Sequence, residues 1–187
     1  MKTRTASTSA VLLVLSLTLL GACNASGSTS VGGATGRLDI RLTDAPIDLS
    51  TVSNITVTIT DVLVYPGVEG MDNDTATPIV VTAHPASFDL LTLTGGATAL
   101  LASGEVPAGF YRRIRLEISS AAITYKDGTL ADLQIDSNKV DVPIGFEVRA
   151  GADSAIVLDF DAAASVQVNA TSSGQLVLRP VVTPRMS

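Results

Sequence analysis

The chain has 187 residues, room for one ordinary domain behind a leader, and a net charge of −6 at pH 7. Its 46% hydrophobic content is mostly Ala, Val, Leu and Ile, with 4% aromatic residues and no tryptophan, so an aliphatic core is expected. An acidic body repels phosphate backbones, which argues against nucleic acid as a partner.

Residues 1–22 read as a signal peptide. "MKTRTASTSA" carries Lys2 and Arg4 and no acid, "VLLVLSLTLL" (11–20) is apolar, and the small residues Gly21 and Ala22 follow. An apolar segment of that length rises only about 15 Å as a helix, half of a hydrocarbon core, so a permanent span is not expected. The sole cysteine, Cys23, comes next. Leu20-Gly21-Ala22-Cys23 resembles the lipobox of bacterial lipoproteins, which implies cleavage between Ala22 and Cys23 and a covalent lipid on Cys23. Several acyl chains hold a protein stably where one holds it marginally. Asn24 stands where lipoproteins kept in the inner membrane carry Asp, so the resemblance favours the outer membrane in a Gram-negative host. The stretch to residue 35, "NASGSTSVGGAT", lacks periodicity and is expected to be a flexible tether with a reach of about 20 Å. Asn24, Asn54, Asn73 and Asn169 begin N-x-[ST] patterns that a bacterial export route leaves without meaning.

From residue 36 to 187 the period is two, and a single domain is expected. "RLDIRLT" (37–43) alternates Leu38, Ile40 and Leu42 with Arg37, Asp39 and Arg41, the pattern of a half-buried strand. "NITVTITDVLVY" (54–65) places Ile55, Val57 and Ile59 on one face and then changes phase to Val62 and Val64, which predicts a β-bulge near Asp61. Further strands are expected at 78–82, 88–93, 110–119, 121–125, 130–135, 139–144, 154–160, 165–168 and 175–182. Turn residues separate them, and Asp127-Gly128 between Tyr125 and Leu130 is the clearest hairpin. Helix is expected only as one or two short turns, at "ATALLAS" (97–103) or after Asp44-Ala45-Pro46. The expected fold class is all-β, an antiparallel β-sandwich or partly closed barrel.

Five stretches in order, "LTDAP" (42–46), "FDLLTLTGG" (88–96), "VPAGFYRRIRLEI" (106–118), "LDFDAAASV" (158–166) and "LRPVV" (178–182), resemble domain of unknown function 4382, a family of exported and lipid-anchored proteins. The resemblance spans residues 36 to about 183. It implies an immunoglobulin- or transthyretin-like antiparallel sandwich and no established activity.

The residues that carry chemistry are few. His84, the only histidine, sits in His-Pro within an expected loop, with no serine or acid in a triad motif beside it, and G-x-S-x-G and H-E-x-x-H are absent. No enzyme is expected. Asp159 and Asp161 lie two apart on one strand surface, and Asp44 is in phase with the buried Leu42. Together they suggest either one polar network, with a calcium ion or with Arg115 or Arg179, or the plainer arrangement of a cap at Asp44 and two solvent-facing strand carboxylates; the plainer one is favoured. A second acidic loop, 71–77 with Asp72, Asn73 and Asp74, lacks EF-hand spacing. Arg113 and Arg115 share a strand face with Glu117 and predict a surface ion-pair ladder beside Arg112. Tyr65, Tyr111 and Tyr125 are the only tyrosines, too few for a sugar-stacking platform unless two share an exposed patch. The expected role is a lipid-anchored cell-envelope protein without cofactor, working as a non-catalytic interaction or structural module. Its expected partners are the membrane and an envelope protein or carbohydrate. The alternative is a ligand-binding lipoprotein for carbohydrate or a divalent cation.

Overall fold

The computed structural model describes residues 33–45, 50–68, 76–168 and 175–187. The signal peptide, Ala22 and Cys23, most of the 23–35 tether, Pro46, and Asp72, Asn73 and Asp74 of the acidic loop lie outside the described residues. The first half is built from β1 (Thr35–Thr43), β2 (Val52–Pro66), β3 (Ile79–Thr82), β4 (Ala86–Asp89), a 3-10 helix (Leu90–Leu93) and β5 (Ala99–Pro107). Then come β6 (Gly109–Tyr125), β7 (Leu130–Asp132), β8 (Gln134–Ile135), β9 (Lys139–Val148) and β10 (Asp153–Phe160). The short α1 (Ala162–Ser165), β11 (Val166–Val168), β12 (Leu176–Leu178) and β13 (Val182–Met186) complete the chain.

Alternation explains the layers. In β1 the side chains of Leu38, Ile40 and Leu42 are fully buried while Arg37 and Arg41 are exposed. In β10, Ile156, Leu158 and Phe160 are fully buried in the same way. These strands belong to a four-stranded sheet in the order β13-β10-β1-β5. A larger sheet runs β3-β2-β6-β7, with β4 also on β2 and β9 also on β6. It contributes Ile55, Val57, Ile59, Val62, Val64, Ile114, Leu116 and Ile118 to the same aliphatic core. A third, small sheet has the order β11-β12-β8. The chain is an all-β sandwich.

Two ladders depart from the antiparallel rule. β8 pairs β12 in parallel, and β1 pairs β10 in parallel from Arg37↔Asp153 to Thr43↔Asp159. A parallel partner needs a long connection, and everything from β2 to β9 supplies it. The start of β1 is tightly seated. A Cβ on Gly36 would stand 2.3 Å from the Arg149 carbonyl oxygen and 2.8 Å from Val148 Cγ1, so only glycine fits there.

The phase change in β2 is a bulge. Register shifts between Ile59 and Asp61 opposite β6, Thr60 drops out of the pairing, and its hydroxyl donates to the Glu117 carbonyl at 3.2 Å. That extra residue lets Ile59 and Val62 both point inward. The hairpin at Asp127-Gly128 closes through Tyr125 N–H to the Thr129 carbonyl at 2.8 Å, with Gly128 at φ 88°.

Several local expectations are corrected. Residues 97–103, read as a helical turn, lead from Ala99 onward into the first half of β5, because pairing Leu42↔Ala99 through Ile40↔Ala102 buries Leu101 and Ala102. Residues 88–93, read as one strand, leave the sheet after Asp89. That carboxylate accepts the Leu91 N–H at 3.2 Å and starts the 3-10 helix, which buries Leu90 and Leu93. The separate stretches 110–119 and 121–125 join into the single strand β6.

Phe160→Ala is expected to cost about 3–5 kcal/mol of unfolding free energy in a denaturant titration, from lost burial and the cavity left behind. The exposed Val80→Ala should stay within about 0.5 kcal/mol.

Candidate functional site

Because β1 and β10 run parallel, their C-terminal ends finish side by side, with Thr43 opposite Asp159. Four of the five stretches that carry the family resemblance meet at this end. From 42–46, Thr43 Oγ1 donates to the carbonyls of Leu93 (3.0 Å) and Ala97 (2.8 Å), and Asp44 N–H donates to Leu93 O at 3.1 Å. These bonds tie β1 to the 88–96 stretch. From 158–166, Asp161 N–H donates to the Val181 carbonyl at 3.0 Å, Arg179 N–H to the Ser165 carbonyl at 2.8 Å, and Val181 N–H to Ser165 Oγ at 2.9 Å. These tie α1 to the 178–182 stretch. Ser165 is fully buried, and its hydroxyl donates to the Asp161 carbonyl at 2.5 Å.

Asp44, Asp159 and Asp161 all come to this corner, each in a different state. Asp44 is 3% exposed. Its Oδ1 accepts the Ala162 N–H at 2.9 Å, capping α1 from far away in sequence, and its Oδ2 has no hydrogen-bond partner among the described residues. Burial pushes its carboxyl up to about 6; the N–H groups of Ala162 and Ala45 oppose the rise, and the charges of Asp159 and Asp161 add to it. Asp159 is 9% exposed; Oδ2 accepts from Arg185 of β13, and Oδ1 is buried without a partner. It is therefore not the solvent-facing strand residue that spacing suggested. Asp161 stands past the strand end as the N-cap of α1, accepting the Ala164 N–H at 2.8 Å.

The arginine at this corner is neither Arg115 nor Arg179. Arg115 makes a two-pronged bond to Asp141 of β9 at 2.6 and 2.8 Å, and Arg179 bonds Asp136 at 2.8 Å. Arg185 escapes the sequence reading because it lies beyond the last expected strand; alternation across 182–186 is the signal that would extend it. Among the described residues no group of three or more His, Cys, Asp or Glu is arranged to hold a metal ion.

The arginine ladder forms on the outer face of the larger sheet, with a missing rung supplied by β9. Arg113 approaches Asp141 at 3.5 Å, while Lys139 approaches Glu117 at 3.7 Å. Both guanidinium groups lie over the Tyr65 ring, at 3.9 Å for Arg113 and 5.1 Å for Arg115. The Arg115 hydrogen bonds hold the Asp141 carboxyl below the usual carboxylate range. Tyr111 is buried, stacked on Phe146 at 5.2 Å, with its hydroxyl donating to the Pro107 carbonyl at 2.6 Å. Tyr111 is thus inside the fold and Tyr65 is covered by the two arginines on the outer face, so the two form no exposed sugar platform. His84 is exposed between β3 and β4.

Among the grooves formed by the described residues elsewhere, two are open. One, of about 370 Å³, lies between β9 and the end of β12 and is lined by Asp136, Ser137, Lys139, Asp141 and Arg179 over Leu178 and Pro180. The other, of about 300 Å³, lies beside the Asp127 hairpin.

The described residues thus form an all-β sandwich in which four of the five resembling stretches knit one end of a parallel ladder. The family described as "Domain of unknown function (DUF4382)" matches residues 35–180, and the chain belongs to it. No curated protein and no solved structure matches the chain.

Arg185→Ala leaves the buried Asp159 carboxylate without its cation and is expected to cost about 1–2 kcal/mol at neutral pH. Asp161→Ala removes only a cap, at about 1 kcal/mol. Chemical denaturation of the two variants beside wild type checks the order.

Proposed function

We propose that the chain is a lipid-anchored protein of the cell envelope whose sandwich works as a non-catalytic interaction or structural module. The observation that carries this reading is Leu20-Gly21-Ala22-Cys23 directly after an apolar segment too short to span a bilayer, with the only thiol of the chain at the expected mature start. Among the described residues no helix is long and apolar enough to cross a membrane, so the lipid is the proposed means of attachment. The chemistry of the domain supports a non-catalytic role: its buried carboxylates cap α1 and pair with Arg185. Asn24 favours the outer membrane where the host has one.

A second reading, ligand binding by the same lipoprotein, is favoured by the groove at Lys139 and Arg179. Its mixed charges and hydroxyl suit a polar ligand such as a carbohydrate better than a divalent cation.

Cys23→Ala is expected to move the protein from the membrane fraction to the soluble fraction and to abolish incorporation of a labelled fatty acid. Unchanged fractionation and labelling would overturn the anchor. Crosslinking on intact cells then separates the two roles, since an interaction module yields a discrete protein adduct that is lost with the anchor.

A further inference from the structure

At the end of the β1/β10 ladder two carboxylates from distant parts of the chain are buried, and each leaves one oxygen, Asp44 Oδ2 and Asp159 Oδ1, with no hydrogen-bond partner among the described residues. A buried oxygen of this kind is costly when its carboxylate is charged, and two beside each other more so. One cation, Arg185, serves the pair, and it binds Asp159 through the other oxygen. We propose that this corner is a proton-operated clasp, in which a single proton on the Asp44 carboxyl lets both groups stay buried and its loss loosens α1 and β13.

The parts of the clasp follow from the contacts. Asp44 Oδ1 holds the first N–H of α1, at Ala162; Asp161 holds Val181 through its backbone N–H; Arg185 holds β13 against Asp159. Among the described residues the charged groups around Asp44 are Asp159 on β10, Asp161 ahead of α1 and, paired with Asp159, Arg185 on β13. The 3-10 helix presents no titratable side chain. On β5 the only one, Glu105, stands opposite Arg37 at the other end of the ladder. β9 comes against β1 at Gly36, also at that other end. Among the described residues no neighbouring basic side chain is therefore available to Asp44 itself, and a proton is the remaining way to quiet its free oxygen. Three-ligand metal chemistry is not assembled among the described residues.

The sign is fixed by linkage. Asp44 binds its proton more tightly folded than unfolded, so the stabilisation is fully present below the ordinary carboxylate range and is lost as pH rises through about 6. An upward displacement of about two pH units corresponds to at most about 100-fold in the equilibrium between closed and open corner. This device is independent of the proposed lipid anchor.

The test is amide hydrogen exchange of the full-length protein in detergent micelles, from about pH 5 to about pH 8, with rates corrected for intrinsic exchange. In wild type the protection of Ala162 and Val181 is expected to fall about tenfold over that range, while Ile114 in the core moves far less. Asp44→Asn keeps the acceptor for Ala162 and replaces the proton by a fixed N–H donor, so its protection should be nearly flat with pH. Asp159→Asn removes the neighbouring charge and should shift the wild-type midpoint to lower pH. Equal pH profiles in wild type and Asp44→Asn would overturn the proposal, as would an unmoved midpoint in Asp159→Asn. So would a calcium-dependent rise in wild-type melting temperature at neutral pH that Asp44→Asn abolishes, which would give the corner to a cation instead.

Discussion

The parallel ladder between β1 and β10 is the constraint on which the rest of the structure depends. Antiparallel neighbours would bring the end of one strand to the beginning of the other. Here the two strands start together and finish together, so Leu42 lies against Leu158 and Thr43 against Asp159. Inward residues of both strands are fully buried, which fixes register strongly, since a slip of one residue would turn Leu38, Ile40 and Leu42 out to water. The same register carries Asp44 and Asp161, the residues just past the two strands, into one corner.

That corner and the arginine ladder show opposite uses of a carboxylate. Asp141 on β9 is partly exposed and bound by Arg115 through both oxygens, so its charged form is favoured and its contribution is present above the ordinary carboxylate range. Asp44 is desolvated and meets only backbone N–H donors, so its neutral form is favoured. Tyr65 lies beneath Arg113 and Arg115, which explains why a buried tyrosine and two arginines occupy adjacent positions of one sheet face. A charged ladder pinned this way is a packing element of the sheet as much as a surface feature.

The strands were legible wherever one face meets water. Alternation in 37–43 and 54–65 revealed β1, β2 and even the bulge at Thr60, because the inward residues are aliphatic and most of the outward ones polar. Residues 97–103 misled because Ala and Leu satisfy either period, and only pairing with β1 decides between them. Residues 88–93 misled because the Asp89 cap competes with the sheet for the same backbone. At the corner, Asp44 announced itself by sharing the phase of Leu42. Pairing direction was hidden, since strand periodicity is the same for parallel and antiparallel neighbours. Without it nothing linked Asp159 to Arg185 or brought residues 44 and 161 together, and the Asp141 partner of Arg115 was hidden for the same reason.

The strands and their pairing give the fold as an all-β sandwich, the family match places the chain in a family without assigned activity, and the proposed role rests on the leader and its cysteine. Between them stands the ladder, which explains why stretches far apart in sequence form one corner. The most direct test is a nuclear magnetic resonance measurement of contacts between β1 and β10. The account predicts interstrand Overhauser effects joining Leu38 to Ser154 and Leu42 to Leu158. Contacts joining Leu38 to Leu158 and Leu42 to Ser154 would mean an antiparallel pair, and the corner described here would not exist.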